Sequence, residues 1–284
     1  MSLLIGTVIT ATDPVLAATI LVGPLAERCI PARLRNTLSA ESGANDGLAM
    51  MLVMVPVYLT TLPSHQVASA WFRHTLLWQI LVAIGIGAVI GLVAGLGVRW
   101  IRRGAYQGEL SLLTVSLSLT FTTLILTRGV GGDGILGTFV AAAVFNRFLP
   151  KDNVLEEHRL QEALGRIFDL PMFFLFGLAL PWDAWAALGW RTYLFAGVVM
   201  FLRRVPVWLL LSPVLPSLRR GRDALFNGWF GPIGISALFY ATFASERTQN
   251  LALWPVTSLV VFASTMVYGI TGTPLSKWIG PQLD

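Results

Sequence analysis

Asp13, Glu41 and Asp46 lie inside stretches that are otherwise apolar enough to cross a bilayer. A charge at the bilayer centre costs at least about 2.5 kcal/mol even on lenient insertion scales, so acids there face a protein interior and mark an ion or proton path. Each also sits where a helix is broken or loosened. Asp13 precedes Pro14, while Glu41 and Asp46 frame Ser42-Gly43-Ala44-Asn45. Carboxylates beside opened backbone offer only oxygen ligands, which suits reversible binding of a hard cation or of a proton.

The elements that position these groups follow from the residues around them. Pro14 removes a backbone donor and pushes Asp13 out of the helical region, so the first span should unwind near Thr12-Asp13 and expose carbonyls and helix ends. Discontinuous helices of this kind build ion sites in transporters. The plainer reading makes Asp13 a cap on the second half of its own helix. Positions 42, 45, 46 and 49 share one helical face, so Ser42, Asn45 and Asp46 can line a cavity while Glu41 points about 140° away. Glu41 then needs a buried cationic partner. Arg203 and Arg204 are the basic residues predicted inside a span, and Arg204 is the expected partner.

Composition sets the class. Of the 284 residues 55% are hydrophobic and only 12% charged, with a mean hydropathy of +0.70, as in a polytopic membrane protein rather than a soluble domain. The single cysteine, Cys29, excludes an internal disulfide. The net charge of +5 comes from short basic clusters between apolar runs, a topology signal rather than a nucleic-acid surface. Met1-Ser2-Leu3-Leu4 lacks the basic start of a cleavable signal peptide.

Apolar runs and loops predict an all-α bundle of about nine spans, roughly 3–22, 36–62, 76–98, 109–127, 134–149, 167–182, 192–215, 224–245 and 252–272. Alternate loops hold Arg28, Arg33 and Arg35, then Arg99, Arg102 and Arg103, then Arg147, Lys151, Arg159 and Arg166, then Arg219, Arg220 and Arg222, and finally Lys277. The opposite loops hold only Arg73, Arg128, Arg191 and Arg247, so the positive-inside rule predicts a cytoplasmic C-terminus and an outer Met1. A chain that starts outside, in mid-span, suggests a missing front end. Residues 151–166, with Leu155, Leu160 and Leu164 among charges, read as a short amphipathic surface helix.

Thr12-Asp13-Pro14, Glu41-Ser-Gly-Ala-Asn45-Asp46, Arg203-Arg204-x-Pro206, Gly231-Pro232-x-Gly234 and Gly269-Ile-Thr-Gly-Thr-Pro-Leu together resemble the NhaP branch of the monovalent cation/proton antiporters. The resemblance covers nearly the whole chain. It implies an NhaA/NhaP-like fold of thirteen spans, of which the first four would be absent, and a homodimer at full length. It also implies that Asp46 binds the cation or a proton, with Asp13, Ser42 and the Thr12 carbonyl completing the site, no resident cofactor, and a monovalent cation as the transported ion, sodium first with lithium and potassium left open. Asn45 stands where a sister branch has a second acid; by resemblance the Asn-Asp pair goes with electroneutral exchange and an Asp-Asp pair with electrogenic exchange. Ile233 departs from the Arg that relatives carry within Gly-Pro-Arg-Gly. The expected organisation is a single transmembrane exchanger domain over 1–284, its ion-site core mainly 1–62 and 192–245, in a bacterial inner membrane. The alternative is a non-transporting fragment or one half of a split antiporter.

Weaker signals complete the reading. His65, His74 and His158 are expected in loops, without metal-ligand spacing. Gly87, Gly91 and Gly95 suit close helix packing. Ser111, Thr114, Ser118 and Thr122 recur at helical spacing, for interhelical hydrogen bonds or a path. Asp133 reads as a loop acid. An intramembrane aspartyl protease is disfavoured, because Val130 stands where that family's Gly-x-Gly-Asp pattern needs its first glycine.

Overall fold

The computed structural model describes residues 1–13, 16, 17, 24–103, 112–149, 154–215, 218 and 221–279, with backbone alone at 24, 25, 27, 102, 103, 154–164, 166 and 279. Pro14, Ser111, Lys151, Arg219 and Arg220 fall outside the described residues. The described residues contain helices and turns but no strand. In chain order the helices are α1 (Ser2–Val8), α2 (Pro24–Cys29), α3 (Ala32–Thr61), α4 (Ser64–Ala70), α5 (Leu81–Arg103), α6 (Leu112–Gly129), α7 (Gly134–Phe145), α8 (Val154–Leu178), α9 (Trp182–Ala187), α10 (Trp190–Leu202), α11 (Val205–Leu211), α12 (Gly221–Trp229), α13 (Ile235–Thr248) and α14 (Leu253–Ile279). A π-helical stretch, Trp71–Ile80, joins α4 to α5.

Among the described residues, five stretches are long and apolar enough to cross a membrane: Ala32–Thr61, Ser64–Ile101, Leu112–Gly129, Trp190–Leu211 and Leu253–Trp278. Gly134–Phe148 and Ile167–Leu178 are shorter apolar helices. Two regions expected to be continuous are interrupted. The span over 192–215 turns at Arg203-Arg204, where Pro206 in the first turn of α11 cannot donate back along the chain. The span over 224–245 opens at 230–234, between α12 and α13, for the same reason at Pro232.

Three other expectations are corrected. His65 and His74 lie in α4 and the π-helical stretch rather than in loops, because helix continues from Ser64 into the third span. His158 is helical too, since 154–166 is the first part of α8 rather than a separate surface helix. Thr114, Ser118 and Thr122 are exposed, and the buried polar residues of α6 are Thr123 and Thr127.

The chain packs as two compact units, Met1–Asn45 with Gly165–Asp284, and Asp46–Leu164. In the second, the glycine stripe of α5 lies against α7. A methyl group on Gly91 would run into the Ala141 carbonyl, and one on Gly87 into that of Gly137. Removing the side chain therefore sets the helix separation, as small residues do in lipid, where van der Waals packing must replace a hydrophobic driving force. Asp133 caps α7, accepting from the N–H groups of Ile135 and Leu136 at 3.0 and 3.1 Å. Burial pushes its carboxyl above the usual carboxylate range, while those two N–H groups and Arg128 pull it back.

In the first unit Ile30, Leu34, Leu38, Ala224, Phe230, Ile233, Ala237 and Val260 form the centre of the apolar core. These residues come from α3, α12, α13, α14 and the loops beside them. Together with Ile9, this core holds the backbone openings at 9–13 and 230–234, which carry the polar site.

Candidate cation site

The site begins with two stretches of backbone that cannot complete their own helices. After Val8 the chain turns through Ile9-Thr10 and runs non-helical to Asp13, and a second opening spans Phe230 to Gly234. The two meet and satisfy one another. The N–H of Asp13 donates to the Pro232 carbonyl at 2.8 Å, and the N–H of Ile235 donates to Asp13 Oδ2 at 2.9 Å. Asp13 therefore caps α13, a helix from the far end of the chain. Gly234 is required here, because a Cβ at that position would collide with the Asp13 carboxylate. Ser264 Oγ accepts from the N–H of Ile233 at 2.7 Å, which ties the second break to α14.

Opened helix ends leave carbonyls without intrahelical donors. Arg203 supplies them: its Nη1 donates to the carbonyls of Ile9, Thr10 and Ala11, and its Nη2 to that of Gly231. One planar guanidinium thus ties both breaks together. Its five donors in a fixed fork allow this, whereas an ammonium would reach fewer carbonyls.

Thr12, Asp13 and Ser42 are each no more than 3% exposed. Thr12 Oγ1 donates to Ser42 Oγ at 3.2 Å, and Ser42 Oγ donates to the Thr12 carbonyl at 2.9 Å. The first break is thereby pinned to α3 at the position where the site acids occur. Asp46 is half-buried and stands one helical turn after Ser42 on the same helix.

Glu41 and Arg204 form an ion pair. Arg204 Nη1 donates to both carboxylate oxygens, at 2.8 and 2.9 Å, and Nη2 donates to the Asn227 carbonyl at 3.0 Å. Arg203, named beside Arg204 as a possible partner of Glu41, is spent on the break carbonyls instead. Asn45 also differs from its expected place, since its Nδ2 lies 3.3 Å from Glu41 Oε1, one turn back on α3. Its amide joins the ion pair because an i,i+4 neighbour offers a charged acceptor. A methyl group on Gly231 would strike the Arg204 guanidinium, so that glycine makes room for the pair.

Sequence reading missed the second break as a structural partner of the first. The signal was present in Gly231-Pro232-Ile233-Gly234, whose proline lacks a donor and whose glycines tolerate close approach. It also missed Asp223. This residue sits 5% exposed in the first turn of α12 and receives Arg33 Nη1 at 2.7 Å.

A family profile described as "Sodium/hydrogen exchanger, transmembrane" matches residues 1–278. Among curated relatives, the chain is 31% identical to Na(+)/H(+) antiporter 2 of Zygosaccharomyces rouxii, with 94% of this chain and 37% of the relative covered. It is 30% identical to the Na(+)/H(+) antiporter of Schizosaccharomyces pombe, with 98% and 64% covered. It is 25% identical to the K(+)/H(+) antiporter NhaP2 of Shewanella oneidensis, with 97% and 46% covered. The chain thus spans between 37% and 64% of the length of these relatives.

Proposed function

Because the chain belongs to the sodium/hydrogen exchanger family, we propose that it takes part in exchanging a monovalent cation for a proton across a membrane by alternating access. The observation that carries this is the crossing of the two backbone breaks at Asp13, buried and held by Ile235 and by Pro232. Such an arrangement sets carbonyls, a carboxylate and helix ends together at one depth, which suits a cation that must be bound and released.

In this reading Asp46 is the carrier, and Asp13, Ser42, Thr12 and Asn45 complete or shape the site. The Asp46 carboxylate loses its proton when a cation arrives and regains it when the cation leaves, so the two compete for one group. Asn45 adds no charge of its own, and one cation then replaces one proton. Glu41 with Arg204 and Arg203 form the fixed electrostatic frame. Sodium is the proposed cation. The names of the relatives include both sodium and potassium, and oxygen ligands accept either.

The basic loops support a cytoplasmic C-terminus, and the proposed setting is a bacterial cell membrane with the working protein a homodimer. Asp46→Asn tests the reading directly. In proteoliposomes with an imposed pH gradient, the parent should take up sodium and dissipate the gradient, and the variant should do neither while unfolding at the same temperature. Uptake by Asp46→Asn at the parent rate would remove Asp46 from the carrier role.

A further inference from the structure

The first unit also holds a cavity of about 410 Å³ that the cation site does not use. Its walls come from α10, α11, α12 and α14, and Phe201, Leu225, Phe226, Phe230, Leu275 and Trp278 among them present hydrocarbon and aromatic surface. Such a volume is large enough for a small or chain-like ligand. Phe201, Leu225 and Trp278 are 58%, 43% and 49% exposed, whereas Phe226 and Phe230 are 3% and 1% exposed, so the cavity opens to the outside of the unit and has a closed floor. Phe230 is also where the opening at 230–234 begins.

One end of the cavity is cationic. Arg222 stands three and four residues before Leu225 and Phe226, and so on the same face of α12. Its Nη2 donates to the Trp278 carbonyl at 2.9 Å, and its guanidinium carbon lies 4.1 Å from the centroid of the Trp278 ring. Those contacts hold the charge beside the cavity wall. Its Nε is buried without an acceptor, and no carboxylate is paired with it among the described residues, since the neighbouring Asp223 meets Arg33. Lys277 adds a second positive charge in the last turn of α14, one residue before Trp278. A guanidinium with donors to spare is suited to a phosphate, which it can grip through two parallel hydrogen bonds.

An apolar cavity with a cationic, aromatic end matches an amphiphile that joins a hydrocarbon chain to an anionic head. Basic pockets between membrane helices take anionic lipid headgroups, and tryptophan is enriched where helix ends meet the headgroup layer. From Arg222 to Trp229 α12 rises about 10 Å, which fits within the roughly 15 Å of hydrocarbon in one leaflet. We propose that this cavity seats one acyl chain of an anionic phospholipid, whose phosphate lies on Arg222 with Lys277 adding to the local positive charge. A zwitterionic lipid brings its own ammonium to that end, and a soluble anion leaves the apolar walls uncovered. The lipid site stands independently of the exchange reading.

The experiment uses the whole chain in phosphatidylcholine vesicles that contain a minor fraction of phosphatidylglycerol with a diazirine in its acyl chain. After illumination, peptide mapping by mass spectrometry locates the label. It should concentrate at 225–230 and 275–278, and be competed by plain phosphatidylglycerol but not by added phosphatidylcholine or inorganic phosphate. Arg222→Gln should lower labelling there about tenfold, and Arg222→Lys, which keeps the charge without the fork, by less. Leu225→Trp, which fills the cavity from its exposed wall, should lower it about fivefold. Unfolding curves in detergent accompany each variant, and competition in the parent reads the site with no substitution at all. Label spread evenly over the exposed helices, or equal competition by phosphatidylcholine, leaves only a general lipid coat and overturns the site. Displacement by inorganic phosphate overturns the seated chain, and unlabelled 225–230 and 275–278 mean that protein, such as a second copy, covers the cavity instead.

Discussion

The carboxylate of Asp13 accepts a hydrogen bond from the backbone N–H of Ile235, at 2.9 Å and across 222 residues of sequence. The same acid is thus a structural cap and a proposed cation ligand, and substitutions separate the two roles. Asp13→Asn keeps an oxygen for Ile235 and should unfold near the parent temperature while losing nearly all sodium uptake. Asp13→Ala loses the cap as well and should cost about 1 kcal/mol in addition. Detergent unfolding curves run beside uptake assays make the distinction, and unchanged sodium affinity in Asp13→Asn would leave only the cap.

Glu41 and Arg204 should behave as one unit. Removing either partner strands a charge that the fold has taken out of water, a loss of about 3–5 kcal/mol for a fully buried pair. Arg204 is the more enclosed side chain, 9% exposed against 29% for Glu41, so the Arg204 variants leave a better-solvated survivor and should fall at the lower end. Equilibrium unfolding of Glu41→Gln, Arg204→Met and the double variant checks this. The double variant should be more stable than the sum of the single losses predicts.

Arg203 answers to a different measure. It meets three carbonyls of the first break and one of the second. Arg203→Gln should strand several buried carbonyls at about 1–3 kcal/mol each before relaxation. Arg203→Lys keeps the charge but lacks the fork, so it should recover only part of the stability and less of the transport rate. Full recovery by lysine would mean that charge, not geometry, holds the breaks.

Charge balance gives the last test. With a neutral Asn45, exchange should neither create nor respond to a membrane potential, although one net charge would be worth about 2.3 kcal/mol per 100 mV. A potassium-diffusion potential imposed on proteoliposomes should leave the rate unchanged. Asn45→Asp places a second acid within reach of the Glu41 carboxylate, 3.3 Å from the present amide. It should weaken the Arg204 pair as well as alter charge movement.

Much of this was legible in the chain because a buried charge in a membrane is a severe local constraint. Asp13, Glu41 and Asp46 announced themselves by cost alone, Pro14 announced a break, and the need of Glu41 for a cation narrowed its partner to two adjacent arginines. The apolar runs likewise determined an integral membrane protein, since span length follows from bilayer thickness. Folding decided what depends on distance in space rather than in sequence. Arg204 rather than Arg203 meets Glu41, because the turn at 203–204 sends consecutive side chains to different partners. Asn45 bends to Glu41, since its i,i+4 neighbour carries charge. Asp13 caps α13, because two openings that each lack donors or acceptors complete one another only when packed together. No local pattern encodes that complementarity, as each half is merely an unsatisfied stretch until the other arrives.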